Sequence, residues 1–365
     1  MSWLILVAVL IFMTLGGAAY LLFGFHRFSV IKRLAEKHRP LSWLICLVPF
    51  AAFGWVAVRN PFSAAVVFLH LVLFWILADL IGALVRKSTK KERRRYVEGA
   101  AAILLAAVYL TAGWYNAHNV RRTAYIVQTG KAIGDSVRIV GISDAHLGVT
   151  LDGARFAGEM ARIQGEDPDA VVVVGDFVDD DSCRADMERA CEALGALETT
   201  YGVYYVPGNH DRGYSRGQRD FDYSDLCRAL EKNHVVILED AAAHLGEGLV
   251  LFGRKDRSDT GRVDMASAAA ALDPARFQIV LDHQPNDYAN EAAAGADLVI
   301  SGHTHGGHIW PAGLIGLLLG ANDRVYGTET RDGTVFIVTS GISGWAIPFK
   351  TGTFSEYVVI DIANP

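Results

Sequence analysis

Apolar residues are unevenly spread along this chain. Four long runs, residues 3–25, 42–58, 62–85 and 97–115, are almost wholly apolar, and all lie before residue 116. At a rise of about 1.5 Å per residue each is long enough to cross a hydrocarbon core, and backbone in lipid must pair internally, so each predicts a membrane-spanning helix. The second run is the shortest and holds Pro49; Arg59-Asn60-Pro61 turns it into the third as a tight helical hairpin. The first run has no basic residue ahead of it, so it does not read as a cleavable signal peptide. Beyond residue 136 the pattern changes. Short β-type runs predict strands at 137–142, 170–174, 203–206, 235–238, 249–253, 278–281, 298–301, 335–339 and 356–362. Helical stretches fall between them at 153–164, 182–198, 223–232, 265–271 and 287–294. Uniformly apolar strands between helices predict sheets covered on both faces, an α/β layout. The expected organisation is a membrane domain over 1–120, a linker over 121–135 and a second domain over 136–365.

Composition sharpens this division. The 365 residues are 51% hydrophobic and carry a net charge of −6. Residues 1–125 hold 15 Lys and Arg against four Asp and Glu, a net of +11; the remainder holds 19 against 36, a net of −17. So acidic a second half excludes a nucleic-acid binder, and the apolar content excludes a disordered chain. The basic residues cluster in two loops. One carries Arg27, Lys32, Arg33, Lys37 and Arg39; the other carries Arg86, Lys87, Lys90, Lys91, Arg93, Arg94 and Arg95. The intervening loop carries only Arg59. Basic loops stay in the cytoplasm, which places the N-terminus and everything after the fourth helix outside, with Arg121 and Arg122 weakly opposing. Within the third run, Asp79 is expected to bond a neighbouring helix or a loop arginine, and His70 is its other ionisable residue. The four cysteines, Cys46, Cys183, Cys191 and Cys227, show no disulfide framework.

The chemistry gathers at strand ends. Strand 137–142 leads into Asp144-Ala145-His146, and strand 170–174 into Gly175-Asp176-Phe177-Val178-Asp179. Strand 203–206 leads into Gly208-Asn209-His210-Asp211, strand 278–281 into Asp282-His283, and strand 298–301 into Gly302-His303-Thr304-His305-Gly306. Ligands bind at the carboxyl ends of strands in α/β sheets. Imidazole, carboxylate and amide oxygen together suit a borderline divalent metal such as Mn, Fe or Zn. Taken as strand residues at i and i+2, His303 and His305 would point to one side. Arg254, Lys255 and Arg257 read either as a phosphate-holding group or as a solvated basic turn.

This string of motifs resembles the calcineurin-like metallophosphoesterases, over about residues 137–362. The stretch Asp282-His283-Gln284-Pro285 and the Gly306-Gly307 continuation resemble the bacterial, membrane-associated branch, although His308 stands where Gln is expected. The resemblance implies a four-layer α/β/β/α sandwich and a metal-dependent phosphoric ester hydrolase with two divalent ions. One ion would take Asp144, His146, Asp176 and His305; the other would take Asp176, Asn209, His283 and His303, with Asp176 bridging. Metal-activated hydroxide would attack a phosphodiester, pyrophosphate or phosphomonoester. His210 would stabilise or protonate the leaving oxygen, and Asp211 would orient His210. Asp179 reads either as a further support or as a helix cap. The apolar stretch 310–319 follows the histidines directly and reads as core packing, a membrane-dipping loop or an acyl-chain site. With the anchor some ten residues upstream, the expected substrate is lipid-linked or part of the envelope. The expected location is the bacterial cytoplasmic membrane, with the catalytic domain outside. The competing readings are a tethered phosphatase for soluble nucleotides or phosphoproteins, and a non-catalytic receptor or transporter with a relic domain.

Overall fold

The computed structural model describes residues 3–90, 96–214 and 219–365, with side chains from residue 12 onward. The chain forms two compact units, Met1–Ala112 and Gly113–Pro365. The first contains helices α1 (Trp3–His26), α2 (Ser29–Lys37), α3 (Arg39–Arg59), α4 (Pro61–Thr89) and most of α5 (Glu98–His118), whose end belongs to the second unit. Helices α3, α4 and α5 are long and apolar enough to cross a membrane, and residues 12–26 of α1 form a shorter apolar stretch. These helices suggest a membrane protein. Trp55, Val58 and Leu104 are largely exposed, as lipid-facing side chains are. The interior is built around Trp75, fully buried against Leu21, Phe68, Ala78 and Ala102.

Asp79 accepts hydrogen bonds from the Arg27 guanidinium and the Tyr20 and Tyr96 hydroxyls, so its partners are a loop arginine and neighbouring side chains, as expected. His70 Nδ1 donates to the Val66 carbonyl one turn back, at 2.7 Å. The first basic loop holds a helix the sequence reading missed. In α2, Val30, Ile31 and Leu34 share one face and Lys32 and Arg33 fall outside it. Its nine residues are too short for a strong periodic signal. In the second basic loop, Lys91, Arg93, Arg94 and Arg95 lie outside the described residues.

The second unit is two six-stranded sheets. The first contains β1 (Arg121–Gln128), β2 (Val137–Ile142), β3 (Ala170–Val174), β4 (Gly202–Val206), β5 (Val236–Ile237) and, at the end of the chain, β12 (Glu356–Ala363). Its order is β1-β12-β2-β3-β4-β5, parallel except for the β12–β2 pair. The second contains β6 (Ala241–Leu245), β7 (Leu249–Gly253), β8 (Phe277–Leu281), β9 (Leu298–Ser301), β10 (Gly327–Arg331) and β11 (Thr334–Val338), in the order β10-β11-β9-β8-β7-β6. Alternation along each strand sets the layers. In β3, Val171 and Val173 pack under α6 (Gly153–Gln164), α7 (Arg184–Gly195) and α8 (Tyr223–Lys232), beside Phe156, Met187 and Leu226. Val172 and Val174 face the other sheet and meet Leu251, Ile279, Leu281 and Ile300. On the far face of the second sheet, Val280 and Val299 pack with Met265 of α9 (Met265–Ala269) and Tyr288 of α10 (Tyr288–Ala293). The architecture is therefore a four-layer α/β/β/α sandwich.

The stretch expected as a linker, 121–135, is corrected in its first half. Residues 121–128 are β1, which pairs in parallel with β12 along its whole length. Pairing with β12 satisfies the backbone of this edge strand, which opens on the exposed Arg121 and Arg122 and sends only Val127 and Tyr125 toward the core.

Candidate metal centre

Parallel strands β2, β3, β4, β8 and β9 all end on one edge of the sandwich, and the loops there cross-link. Asp144 N–H donates to the Gly175 carbonyl at 3.0 Å, His146 N–H to the Asp176 carbonyl at 3.1 Å, and Gly302 N–H to the His283 carbonyl at 3.0 Å. Asp144 (φ 51°), Asp176 (φ 51°), His303 (φ 68°) and His305 (φ 48°) sit in left-handed backbone, a costly conformation that clusters at functional sites. Space is tight as well. A Cβ on Gly208 would collide with the backbone nitrogen and carboxylate of Asp176, and one on Gly302 with the Asp144 carboxylate.

Asp144, His146 and His305 offer ligand atoms within 4.8 Å of one another, as do Asp176, His283 and His303. Asp176 Oδ2 lies 3.0 Å from His283 Nε2 and 3.6 Å from His146 Nε2, so one carboxylate faces both groups. Asn209 lies between Gly208 and His210, whose N–H donates to Asp176 Oδ1 at 2.8 Å. Its Nδ2 donates to the Tyr214 hydroxyl, which leaves Oδ1 for another partner. His146 Nε2, His283 Nε2, His303 Nδ1, His305 Nδ1 and Asn209 Oδ1 are all buried with no hydrogen-bond partner among the described residues. Buried polar atoms are rarely left so, and His305 turns its Nε2 to Asp144 Oδ1 at 3.6 Å; unpartnered imidazole and amide atoms grouped with two buried carboxylates fit divalent cations.

Supporting hydrogen bonds aim these atoms. His283 Nδ1–H donates to the Val174 carbonyl at 2.9 Å, which leaves Nε2 to face Asp176. Asp179 accepts from His146 Nδ1 and His210 Nδ1, both at 3.0 Å, one on each oxygen. This is the support reading of Asp179; its side chain caps no helix. Burial would raise its pKa, but hydrogen bonds from His146 and His210 bring it well below the carboxylate range. Burial holds His303 and His305 below the usual imidazole range, with His283 and His146 respectively adding to the effect, so both stay neutral.

Several expectations are corrected. Asp211 does not orient His210; that partner is Asp179. The fully buried Asp211 carboxylate turns away and accepts backbone N–H bonds from Asp176 (2.9 Å), Val178 (3.0 Å) and Gly208 (2.7 Å). Burial, then the neighbouring Asp176 charge, pushes its pKa up to about 6. The reversal follows from the turn after β4, where residue 211 is the one placed to close onto the β3 loop. His303 and His305 do not share a side. Strand β9 ends at Ser301, His305 enters a 3-10 turn, and the two fall in different ligand groups. Arg254 neither holds phosphate nor faces solvent; it is buried against Asp282, Asp287 and Glu291. Stretch 310–319 is not core. It contains α11 (Ala312–Leu318), which has no buried residue.

The sequence reading missed Tyr214, whose ring lies 4.8 Å from that of His210. Its only sequence signal was closeness to Gly208-Asn209-His210-Asp211. The unexpected His308 stacks on His305 with ring centroids 5.1 Å apart, and burial pushes its pKa down to about 3.

Residues 137–307 match the family model described as calcineurin-like phosphoesterase. These residues form a calcineurin-like phosphoesterase domain. Such phosphoesterases depend on a dinuclear metal centre, and the chain is a metal-dependent phosphoester hydrolase. The chain is 26% identical to an uncharacterized metallophosphoesterase of Campylobacter jejuni, over 97% of this chain and 99% of that one. It is 26% identical to a transmembrane protein with metallophosphoesterase domain from Bos taurus, over 90% of this chain and 75% of that one. Among solved structures, a dimetal phosphatase from Danio rerio aligns at 11% identity over 61% of this chain and 91% of that one, with a TM-score of 0.40. The likeness to the phosphoesterases that carry membrane helices thus extends through the apolar first unit, beyond the phosphoesterase domain itself.

Proposed function

We propose that this protein is a membrane-anchored, dinuclear-metal phosphoesterase acting on lipid-linked or envelope phosphoesters. The observation that carries the reading is the gathering of His146, His305, His283 and His303 around the buried carboxylates of Asp144 and Asp176, with buried ring nitrogens left unpartnered. One cation would be held by Asp144, His146, Asp176 and His305, the other by Asp176, Asn209, His283 and His303. When bound, such a pair polarises a phosphoryl oxygen and supplies a nucleophile at neutral pH. The protein's own residues bind and orient. Asp176 would serve both ions, since its Oδ2 faces both ligand groups. Asn209 adds an oxygen without further negative charge. Asp179 holds the His210 ring through its Nδ1–H, which leaves Nε2–H to donate a proton to the leaving oxygen. Asp211 braces the loops that carry Asp176 and Asn209.

The organisation that goes with this function is a membrane domain over about 1–120 followed by the hydrolase domain. We place the protein in a bacterial cytoplasmic membrane, and the basic loops favour an orientation with the hydrolase domain outside. A lipid-linked substrate is supported by the anchor and by the exposed apolar helix α11 just after His308. The deciding experiment is hydrolysis of a panel of soluble and lipid phosphoesters by detergent-solubilised protein, with metal analysis alongside. Asp176→Asn is expected to abolish turnover and lower metal content while the circular dichroism spectrum is kept. Full activity in that variant would sink the two-ion assignment.

A further inference from the structure

The most unusual surface of the hydrolase unit is the segment that follows the metal-centre histidines. From Ile309 to Asn322 there is no charged residue. Trp310, Leu314, Ile315, Leu317, Leu318 and Leu319 are all exposed, Leu318 at 86% and Leu319 at 78%. A surface helix normally keeps a polar face toward water, and α11 has none. Large contiguous apolar patches are rare on soluble monomers and mark interaction sites.

The hydrogen bonds around this segment show what it is tied to. Residues 113–118, the end of α5, belong to this unit, and they are where the chain leaves the apolar helices. The Gly113 carbonyl accepts from Lys350 N–H and the Asn116 carbonyl from Ser355 N–H, both at 2.9 Å. The Ser355 hydroxyl donates to the Ala117 carbonyl at 2.9 Å. The same 350–355 strap holds the apolar segment from its other side. Thr351 and Gly352 donate to the His308 carbonyl at 2.9 Å, and Thr351 Oγ1 accepts from Trp310 N–H at 3.1 Å. Trp114 and Tyr115, at the end of α5, are about half exposed, in the pattern of interfacial aromatic anchors. The chain's exit from its apolar helices, the apolar segment and the His305–His308 turn are therefore tied to one strap.

We propose that residues 310–319 form a wedge that inserts into the bilayer surface and keeps the metal centre at the lipid headgroup level. The proposal rests on the phosphoesterase reading and deepens it. An interfacial helix lies in the membrane plane with its apolar face about 5–10 Å deep in the headgroup and acyl boundary, and α11 offers such an apolar face. The substrate class that fits is an amphiphile whose phosphoester lies at the headgroup level while its hydrocarbon stays in the membrane.

The test uses full-length protein in vesicles, with Cys183 and Cys227 replaced by Ser. An environment-sensitive fluorophore is placed at Leu318→Cys, with Val236→Cys on β5, the opposite edge of the first sheet from β1, as control. Nitroxide on the lipid acyl chains is expected to quench the 318 probe by more than half and to leave the 236 probe nearly unchanged. Equal quenching at both positions overturns the wedge. A blue-shifted 318 probe that lipid nitroxide does not quench also overturns it and points to a second copy of the chain as the cover. Leu318→Asp with Leu319→Asp is expected to lower the ratio of vesicle-borne to soluble ester hydrolysis at least tenfold, and an unchanged ratio overturns the role in substrate access. Quenching without hydrolysis of any phosphoester would leave the wedge standing and remove the phosphoesterase reading; the converse result would do the opposite.

Discussion

Asp179 and Asp211 lie on either side of His210, and the sequence alone suggested the wrong one as its partner. Adjacency favoured Asp211, yet Asp179 receives the His210 Nδ1–H while Asp211 gathers three backbone N–H groups. The two carboxylates therefore answer differently to removal. Asp211→Ala strands three buried donors, and each unsatisfied one costs about 1–3 kcal/mol. The expected result is a melting temperature lower by several degrees, read by thermal unfolding in detergent. Asp179→Ala frees only one, partly buried, backbone donor, the Asp180 N–H that its Oδ1 accepts at 2.7 Å. It is expected to lower the melting temperature less than Asp211→Ala does and to lower turnover by roughly 10–100-fold through misoriented His146 and His210. An Asp211→Ala variant that melts normally but shows an altered pH–rate profile would return Asp211 to the role first expected of it.

At the level of elements, the strands read correctly from sequence were mostly the interior ones. Strands β3, β7, β8 and β9 are buried at every position, so their apolar runs are continuous and easily recognised. The three missed strands, β1, β6 and β10, are all edge strands. Their positions are mostly exposed or half-buried, with only Val127 of β1 and Leu245 of β6 fully buried, so no run of buried apolar residues marks them. An edge strand needs only one partner's hydrogen bonds, and which partner is available depends on sheet order. The turns after the strands are more constrained than the strands themselves. Gly208→Ala puts a methyl group into the Asp176 backbone, which cannot move aside as a flexible side chain could. It is expected to lower both metal content and turnover at least tenfold. Gly158→Ala on α6, whose Cβ would meet nothing within 4 Å, is the control and is expected to retain full activity. Equal activities for the two variants would show that the close approach at Gly208 is not required.

For the whole molecule, the net charge of −6 is a sum of unlike parts. The positive half owes its sign to two loops, and those loops carry the topology argument. Arg121 and Arg122, which opposed an outside hydrolase domain, have local partners. Arg122 pairs with Glu166 at 2.8 Å and Arg121 donates to Asn116 Oδ1 at 2.9 Å. Their weight as retained cytoplasmic charges is reduced accordingly. A reporter enzyme that matures only outside the cytoplasm, fused after Pro365, is expected to be active, and a green fluorescent protein fusion at the same point is expected to be dark. The opposite pair of results would place the hydrolase domain inside and direct the substrate search to the inner leaflet.

Properties that depend on neighbours in sequence were determined by the sequence alone. Apolar run length set the long helices of the first unit, period and β-branching set the interior strands, and the candidate ligands at the strand ends were named before any fold was known. Properties that depend on distance between remote residues were decided only by the tertiary structure. It divided the histidines between the two ligand groups and gave His210 its carboxylate from 31 positions away. It buried Arg254 among acids on other elements and left α11 uncovered beside the metal centre. The physical reason is the same in each case. A side chain's chemistry is local, but its partner and its solvent are chosen by the packing of the whole sandwich.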